Sequence, residues 1–331
     1  MTQRRDAVVI GGCIVALALS VLVGVSFGTD DVSLAKAFGD ATSLDHVIVF
    51  DVRLPRVMLG ALAGAGLSIV GVALQALLRN PLAEPYVLGV SGGSALGATV
   101  AILIGVSGAT AFGASVVPLF ALLGGLGATA LVHAFAAAAP SARGTSVLLA
   151  GVVVNAVASA AITFIKTLVT QSKAQELLFW LMGFLDVPSR ASLLALLAYV
   201  AIGAAVLLRD AAHLNVLSLG DDAAEHLGVA VRRVELRTLI ASSLVVGAIV
   251  SVTGLIGFIG LLVPHILRRL LGPDARVLMP AALLLGGATL VLCDLVSRAA
   301  FRFLHTEPPV GAVTALFGGP LFLLLLRRRT A

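Results

Sequence analysis

The sequence is short of charge. Of its 331 residues, 12% are Asp, Glu, Lys or Arg, whereas a soluble globular domain contains about 25%. Hydrophobic residues make up 59% of the chain, and its mean hydropathy is +1.09. This composition excludes an ordinary soluble protein and predicts an integral membrane protein. Because a helix needs about 20 apolar residues to cross a bilayer, the length allows about ten spans and leaves no room for a separate soluble domain.

Lysine and cysteine are also rare. None of the three lysines, Lys36, Lys166 and Lys173, follows a glycine, so the P-loop motif G-x-x-x-x-G-K-[ST] cannot be present. The zinc-protease motif H-E-x-x-H is absent as well. Cys13 and Cys293 lie in apolar runs, and we expect neither a disulfide nor a metal site. The chain should therefore hold no catalytic residue and no cofactor, and any ATP hydrolysis must belong to another chain.

The net charge of +5 does not indicate nucleic-acid binding, because the basic residues lie mostly in short connectors between apolar runs. The positive-inside rule explains such connectors. Arg79 predicts a cytoplasmic connector, and the aspartates within 28–52 predict an outer loop. With an even number of spans, both termini should be cytoplasmic. The predicted spans are approximately 7–27, 55–78, 87–106, 114–136, 146–168, 191–208, 238–256, 258–271, 277–297 and 309–326.

One segment, 75–93, interrupts the apolar runs and has the sequence QALLRNPLAEPYVLGVSGG. Pro81 and Pro85 must end the preceding helix, because proline lacks a backbone N–H and clashes with the preceding turn. Charged Arg79 and Glu84 flank these prolines. The pattern predicts a turn at a membrane surface, followed by a glycine-rich helix that packs closely on its neighbours.

Several motifs stand in an order that is typical of one transporter family. They are Arg53-Leu54-Pro55-Arg56, Asn80-Pro81-Leu82-Ala83, Gly257-Phe258-Ile259-Gly260-Leu261, Gly272-Pro273-Asp274 and Pro309-Val310-Gly311. On these motifs the chain resembles the permease subunit of type II ATP-binding-cassette (ABC) importers, which bring in ferric siderophores, haem and cobalamin. The resemblance covers nearly the whole chain and implies one all-α permease domain over residues 1–331.

The resemblance also implies partners. Such a permease pairs with itself and binds two copies of a separate ABC ATPase, which holds ATP and Mg²⁺. A periplasmic or lipid-anchored substrate-binding protein delivers the metal chelate. The expected location is the bacterial cytoplasmic (inner) membrane.

Two interfaces follow from the resemblance. The polar segment 209–237, which could also be a solvated loop, matches the coupling helices that dock into the ATPase. A docking helix needs small and apolar contacts flanked by charges, and the candidates are Leu217, Leu219, Gly220, Ala224, Leu227 and Gly228. Arginines matching Arg53, Arg56 and Arg298 receive glutamates of the binding protein in this family. Asp294 and Arg298 also have the i, i+4 spacing of a simple helical ion pair.

The resemblance places an inner gate at the cytoplasmic mouths of spans two and five. The matching residues are Asn80, Leu82, Thr145 and Ser146. Thr145 and Ser146 would equally suit the N-cap of span five. Gln75 and Asn155 are polar groups inside spans, where they either line the pathway or bond a neighbouring helix.

An ion-coupled secondary transporter that acts without an ATPase is the alternative from another class. Such a transporter needs a membrane-embedded acid to carry protons or sodium. In this sequence, Asp294 is the only good candidate for that role.

Overall fold

The computed structural model describes residues 2–106, 110–111, 114–137 and 143–327, and these are nearly all helical. The helices are α1 (Thr2–Ser26), α2 (Leu34–Gly39), α3 (Leu44–Val47), α4 (Leu54–Leu77), α5 (Val90–Leu103), α6 (Val117–Ala137), α7 (Arg143–Leu168), α8 (Gln171–Met182), α9 (Arg190–Leu217), α10 (Asp221–His226), α11 (Val231–Thr253), α12 (Ile259–Leu271), α13 (Ala275–Leu304) and α14 (Val310–Arg327). A π-helical turn, Ile48–Arg53, joins α3 to α4, and a 3₁₀ turn, Pro85–Leu88, precedes α5. Two short strands, β1 (Thr110–Ala111) and β2 (Ala114–Ser115), pair in antiparallel fashion.

The helices long enough to cross a membrane agree with the predicted spans. Within the described residues, seven helices have the length and hydropathy of a span, namely α1, α4 with the turns before it, α6, α7, α9, α11 and α13. The shorter apolar helices α5 and α14, together with the 13-residue α12, account for the other predicted spans. The prediction of an all-α membrane protein with about ten spans is confirmed.

Helix α4 forms the centre of the bundle. It contacts α9, α11, α12 and α13, and it is the most buried of the long spans, with α11 next. Gly64 lies against the backbone of Gly286 on α13, and Gly71 lies against the backbone of Gly260 on α12, so that a Cβ at either position would collide. Small residues thus let the helices approach closely, which is how membrane helices gain packing energy.

The least buried spans are α1 and α7. On α7 the exposed side chains include Leu149, Val152, Val157 and Phe164. An apolar outer face is what a helix needs against lipid or against a second membrane subunit, because neither offers water to polar groups.

Helix α4 also defines the two ends of the bundle. The Arg53 end is where α4 begins, beside the last turn of α1. The Arg79 end is where α4 stops at Leu77 and the connection to α5 follows. We call this connection, residues 78–89, the Arg79 loop. Helix α10 lies at the same end, since Arg79 contacts its first residue, Asp221.

The predicted polar segment 209–237 is shorter than its composition suggested. Helix α9 continues to Leu217 and α11 already begins at Val231. Asp210 on α9 is buried and pairs with Arg237 on α11, with Nε and Oδ2 2.9 Å apart. Because these charges compensate each other between packed helices, both helices extend through polar sequence. The part outside the spans is residues 218–230, which we call the α10 segment.

Candidate functional site

A network of buried charges lies at the Arg53 end. Asp294 on α13 is 1% exposed. Its Oδ1 accepts a hydrogen bond from Arg56 Nε at 3.0 Å, and its Oδ2 accepts one from Arg298 Nε at 2.9 Å. Arg56 Nη2 also donates to Glu307 Oε2 at 2.8 Å. The predicted i, i+4 pair of Asp294 and Arg298 is therefore confirmed, and Arg56 joins it from α4.

The same arginines hold the end of α1. Arg53 Nη1 donates to Ser26 O at 2.9 Å, while Arg298 donates through Nη1 to Phe27 O and through Nη2 to Gly24 O, both at 3.0 Å. The last carbonyls of a helix have no partner within it and carry partial negative charge. Two guanidinium groups satisfy these carbonyls and attach α1 to α4 and α13.

The three arginines that were expected to receive a binding protein are largely buried within this chain, and their role in docking stays a prediction. Arg53 is 4% exposed and Arg298 is 3% exposed. The Arg56 side chain is 13% exposed. Their donors are already used by Asp294, Glu307 and the carbonyls of α1. The physical reason is proximity, since acceptors within the chain lie in direct contact with the guanidinium groups and leave little of them for a partner.

The Arg79 loop is tied down by side-chain amides. Gln75 is buried, donates from Nε2 to Ala83 O at 3.4 Å, and accepts at Oε1 from Arg268 Nη2 at 3.1 Å. Asn80 Oδ1 accepts from Leu82 N at 2.9 Å, which closes a tight local turn. Leu82 itself is exposed. Of the two possibilities for Gln75, the structure shows that its side chain bonds to neighbouring elements. Leu82 is open to solvent, and its place at an inner gate stays a prediction.

Asn155 on α7 also bonds neighbouring backbone. Its Oδ1 accepts from Gly92 N at 3.1 Å, and its Nδ2 donates to Tyr86 O at 2.8 Å. These bonds satisfy backbone groups where the 3₁₀ turn passes into α5, which would be costly to leave unpaired in an apolar setting. Ser146 lies half-buried near the start of α7. The side chain of Thr145 lies outside the described part of the structure.

Glu84 forms a contact that the sequence did not predict. Its Oε1 accepts from Phe258 N at 2.6 Å, at the N-terminus of α12, where a carboxylate is favoured by the helix dipole. Phe258 has φ +68°, an unusual value for a residue with a side chain. Burial raises the pKa of Glu84, and the Phe258 N–H opposes that shift. Burial, followed by the charge of Glu84, also raises the pKa of the Tyr86 hydroxyl. In the sequence, the one signal for this contact is a glutamate that lies between two prolines in an apolar stretch.

The predicted coupling residues with large or small apolar side chains fall into a buried group and an exposed group. Leu217 is 1% exposed and Ala224 is fully buried, whereas Leu219 is 70% exposed and Leu227 is 65% exposed. Contact with an ATPase stays a prediction for all of these residues, and the bundle itself already covers Leu217 and Ala224. These two pack into the bundle, because burying them fixes the segment on α9 and α11.

Gly220 and Gly228 shape the α10 segment. Gly220 has φ +124° and Gly228 has φ +80°. Residues with a Cβ rarely adopt such angles, so glycine is needed at both bends. The bends start and end the short helix α10 and leave Leu219 and Leu227 projecting beside it. Among the described residues, no group of His, Cys, Asp and Glu could hold a metal ion.

Comparison with known proteins agrees with this architecture. A profile of the FecCD transport family matches residues 13–328. The cobalamin import system permease protein BtuC of Halobacterium salinarum is 43% identical over 286 residues, which cover 86% of this chain and 74% of that protein. The hemin transport system permease protein HmuU of Yersinia pestis is 33% identical over 98% of this chain and 97% of its own length.

A solved structure shares the fold. An inward-facing metal-chelate type ABC transporter superimposes with a TM-score of 0.85 at 30% identity, covering 96% of this chain and 98% of the solved one. The match spans the helical bundle from end to end, and the relatives are permease subunits of ABC transporters. This multi-pass membrane protein is therefore an ABC importer permease and belongs to the FecCD transport family.

Proposed function

We propose that two copies of this chain pair around a central pathway and form the membrane part of an ATP-driven importer of a metal chelate. Two copies of a separate ATPase, which holds ATP and Mg²⁺, bind at the Arg79 end. A substrate-binding protein delivers the chelate at the Arg53 end. The Arg79 end and both termini then face the cytoplasm, and the membrane is the cytoplasmic (inner) one. The basic residues of the connectors support this orientation.

The observation that carries the proposal is the pair of exposed leucines on the α10 segment. Leu219 and Leu227 project from a segment that buried Leu217 and Ala224 hold in place. Exposed apolar side chains on a fixed, charged segment are typical of the centre of a protein interface. A separate ATPase that covers these leucines would receive a rigid attachment, through which its closure can move the permease.

The cargo proposal rests on the chemistry of the spans. Buried acids such as Asp210 and Asp294 are paired with arginines, so they offer no open set of ligands for a bare ion. A bulky chelate carries its own ligands and needs only a smooth wall. Relatives named for cobalamin and hemin support this class, and the choice among cobalamin, haem and a ferric siderophore is left to experiment.

The ion-coupled alternative loses its candidate acid. A proton or sodium carrier must release and rebind its ion, whereas Asp294 is bound by Arg56 and Arg298 together. Taking that site through a transport cycle would require breaking two charge-assisted hydrogen bonds in a buried place.

Transport by the reconstituted complex tests the proposal. The chain is co-purified with its candidate ATPase, placed in liposomes, and supplied with a candidate binding protein loaded with cobalamin, haem or a ferric siderophore. We expect uptake of one chelate that requires hydrolysable ATP and persists when ionophores collapse the ion gradients. Uptake without the ATPase that stops with the ionophore would instead establish the ion-coupled transporter.

A further inference from the structure

Arg79 connects the α10 segment to the Arg79 loop. Its Nε donates to Leu217 O at 3.0 Å, at the end of α9. Its Nη2 pairs with a carboxylate oxygen of Asp221, the first residue of α10. Asn80 follows Arg79 directly, and the exposed Leu82 lies two residues further on. A displacement of α10 therefore acts first on the backbone of this loop.

The backbone at Arg79 is held in an uncommon conformation. Its φ is +49°, in the left-handed region that residues with a side chain rarely adopt. Such a conformation persists where surrounding contacts hold it in place. Here the guanidinium group of Arg79 contacts Leu217 O and a carboxylate oxygen of Asp221, and these contacts hold the backbone of Arg79. When these contacts are released, the loop is free to take a more ordinary conformation.

The other end of the Arg79 loop is fastened to α12. Glu84 accepts from Phe258 N at the start of α12, and Arg268 near the end of α12 donates to Gln75 just before the loop. A cavity of about 390 Å³, lined in part by Arg79, Gln75 and Arg268, lies between these elements and leaves room for movement. The loop is thus attached at one end to α10 and at the other to a membrane helix.

We propose that Arg79 is a positioning residue that transmits movement of the α10 segment to the Arg79 loop and, through Glu84, to α12. The inference rests on the proposed function, since α10 moves only if a partner moves it. The pair with Asp221 is partly exposed, with side chains 41% and 54% accessible, so its contribution to folding should be small. Its effect should appear in coupling.

Charge exchange tests this role in the complete complex. The variants are R79D, D221R, the double variant R79D/D221R and the milder R79Q, all with native ATPase and binding protein. Arg276 is the matched control, because it also forms a partly exposed pair with an aspartate at the Arg79 end, Asp274, yet lies outside the α10 segment. We expect R79D and R79Q to lower cargo uptake per ATP hydrolysed by about tenfold, the double variant to recover most of it, and R276Q to match the native complex.

A second readout does not depend on any partner. Hydrogen exchange of the isolated chain in detergent should show faster exchange in R79Q at the amides of Asn80, Leu82 and Ala83 and at the start of α10, with R276Q unchanged. Unaltered exchange in R79Q, or a double variant no better coupled than R79D, would overturn the inference. Failure of the native chain to bind any ATPase would overturn the proposed function instead, and the exchange experiment would still decide whether Arg79 links the loop to α10.

Discussion

The most distinctive ion pairs at the two ends of the bundle differ in burial. At the Arg53 end, Arg56 and Arg298 converge on Asp294, which is buried. At the Arg79 end, the pair of Arg79 and Asp221 is partly open to solvent. Buried charges must be paired within the chain, whereas exposed ones can exchange partners at little cost. The Arg53 end is therefore the more fixed of the two, and the proposed coupling uses the exchangeable contacts of the Arg79 end.

Removing the buried carboxylate should have the largest effect. In Asp294→Asn, two guanidinium groups lose their common counter-ion in a place that water does not reach. Breaking a buried pair in this way costs about 3 to 5 kcal/mol. We expect a large fall in the midpoint of thermal unfolding of the purified chain in detergent, independent of any ATPase.

Asp31→Asn supplies the matched control at the same end. Asp31 pairs with Arg302, but its side chain is 93% exposed. The unfolding midpoint of this variant should equal that of the native chain. Equal stability losses in Asp31→Asn and Asp294→Asn would erase the proposed contrast between buried and exposed pairs.

Glu84 tests whether a partly buried contact at the Arg79 end is as important as the buried ones at the other end. Glu84→Ala leaves Phe258 N without its acceptor; a fully buried unsatisfied donor costs about 1 to 3 kcal/mol, and we expect a loss near the lower end of that range. Glu84→Gln keeps an acceptor oxygen and should lose less. Thermal unfolding of both variants beside the native chain measures the difference.

The two Glu84 variants also predict a pH effect. Burial raises the folded-state pKa of Glu84 above its unfolded value, so the unfolded chain releases this proton first as pH rises. The stability of the native chain relative to Glu84→Gln should therefore fall as pH rises from the unfolded pKa to the folded one, and stay level above it. A difference that grows in the native chain's favour over that window would contradict the assignment.

Asp274 should show a smaller effect with the opposite pH dependence. It caps α13 by accepting from Arg276 N at 2.9 Å, and removing such a cap costs about 1 kcal/mol. Hydrogen bonding to Arg276, partly opposed by burial and aided by Asn215, lowers the pKa of Asp274 to about 2. Native stability relative to Asp274→Ala should therefore be lost as pH falls toward about 2, as unfolding curves across that range would record.

Much of this molecule could be predicted from composition and local pattern. Apolar runs of sufficient length determine the spans, and the i, i+4 spacing of Asp294 and Arg298 already indicated their pair. Contacts between distant parts could not be read in the same way. Arg56 reaches Asp294 across 238 positions, and Glu84 reaches Phe258 across 174. These partners depend on how α4, α12 and α13 pack, which no local pattern states.

The same limit explains why the burial of predicted site residues at both ends could not be foreseen. Arg53 looked like an outward-facing charge because its neighbours in sequence do not include the carbonyls of α1 that it binds. Leu217 looked like a docking residue because apolar residues in polar sequence suit an interface, yet it is buried against the bundle. Residue type indicated which contacts each position could make. Tertiary packing decided whether the contacting group lies within the chain or outside it.

The smallest effect on folding should come from the exposed leucines, and their effect on binding then separates the two ends. In Leu219→Gln/Leu227→Gln, the free energy of unfolding should change by less than about 0.5 kcal/mol, because neither side chain packs into the bundle. Binding to the ATPase, measured with the purified subunits in detergent, should weaken by about tenfold or more, since apolar anchors carry much of an interface. Glu225→Gln, an exposed change within α10 between the two leucines, should leave both quantities nearly unaltered. If the leucine variant binds as the native chain does, the contacts of the ATPase lie elsewhere at the Arg79 end, because unchanged stability rules out a general loss of structure.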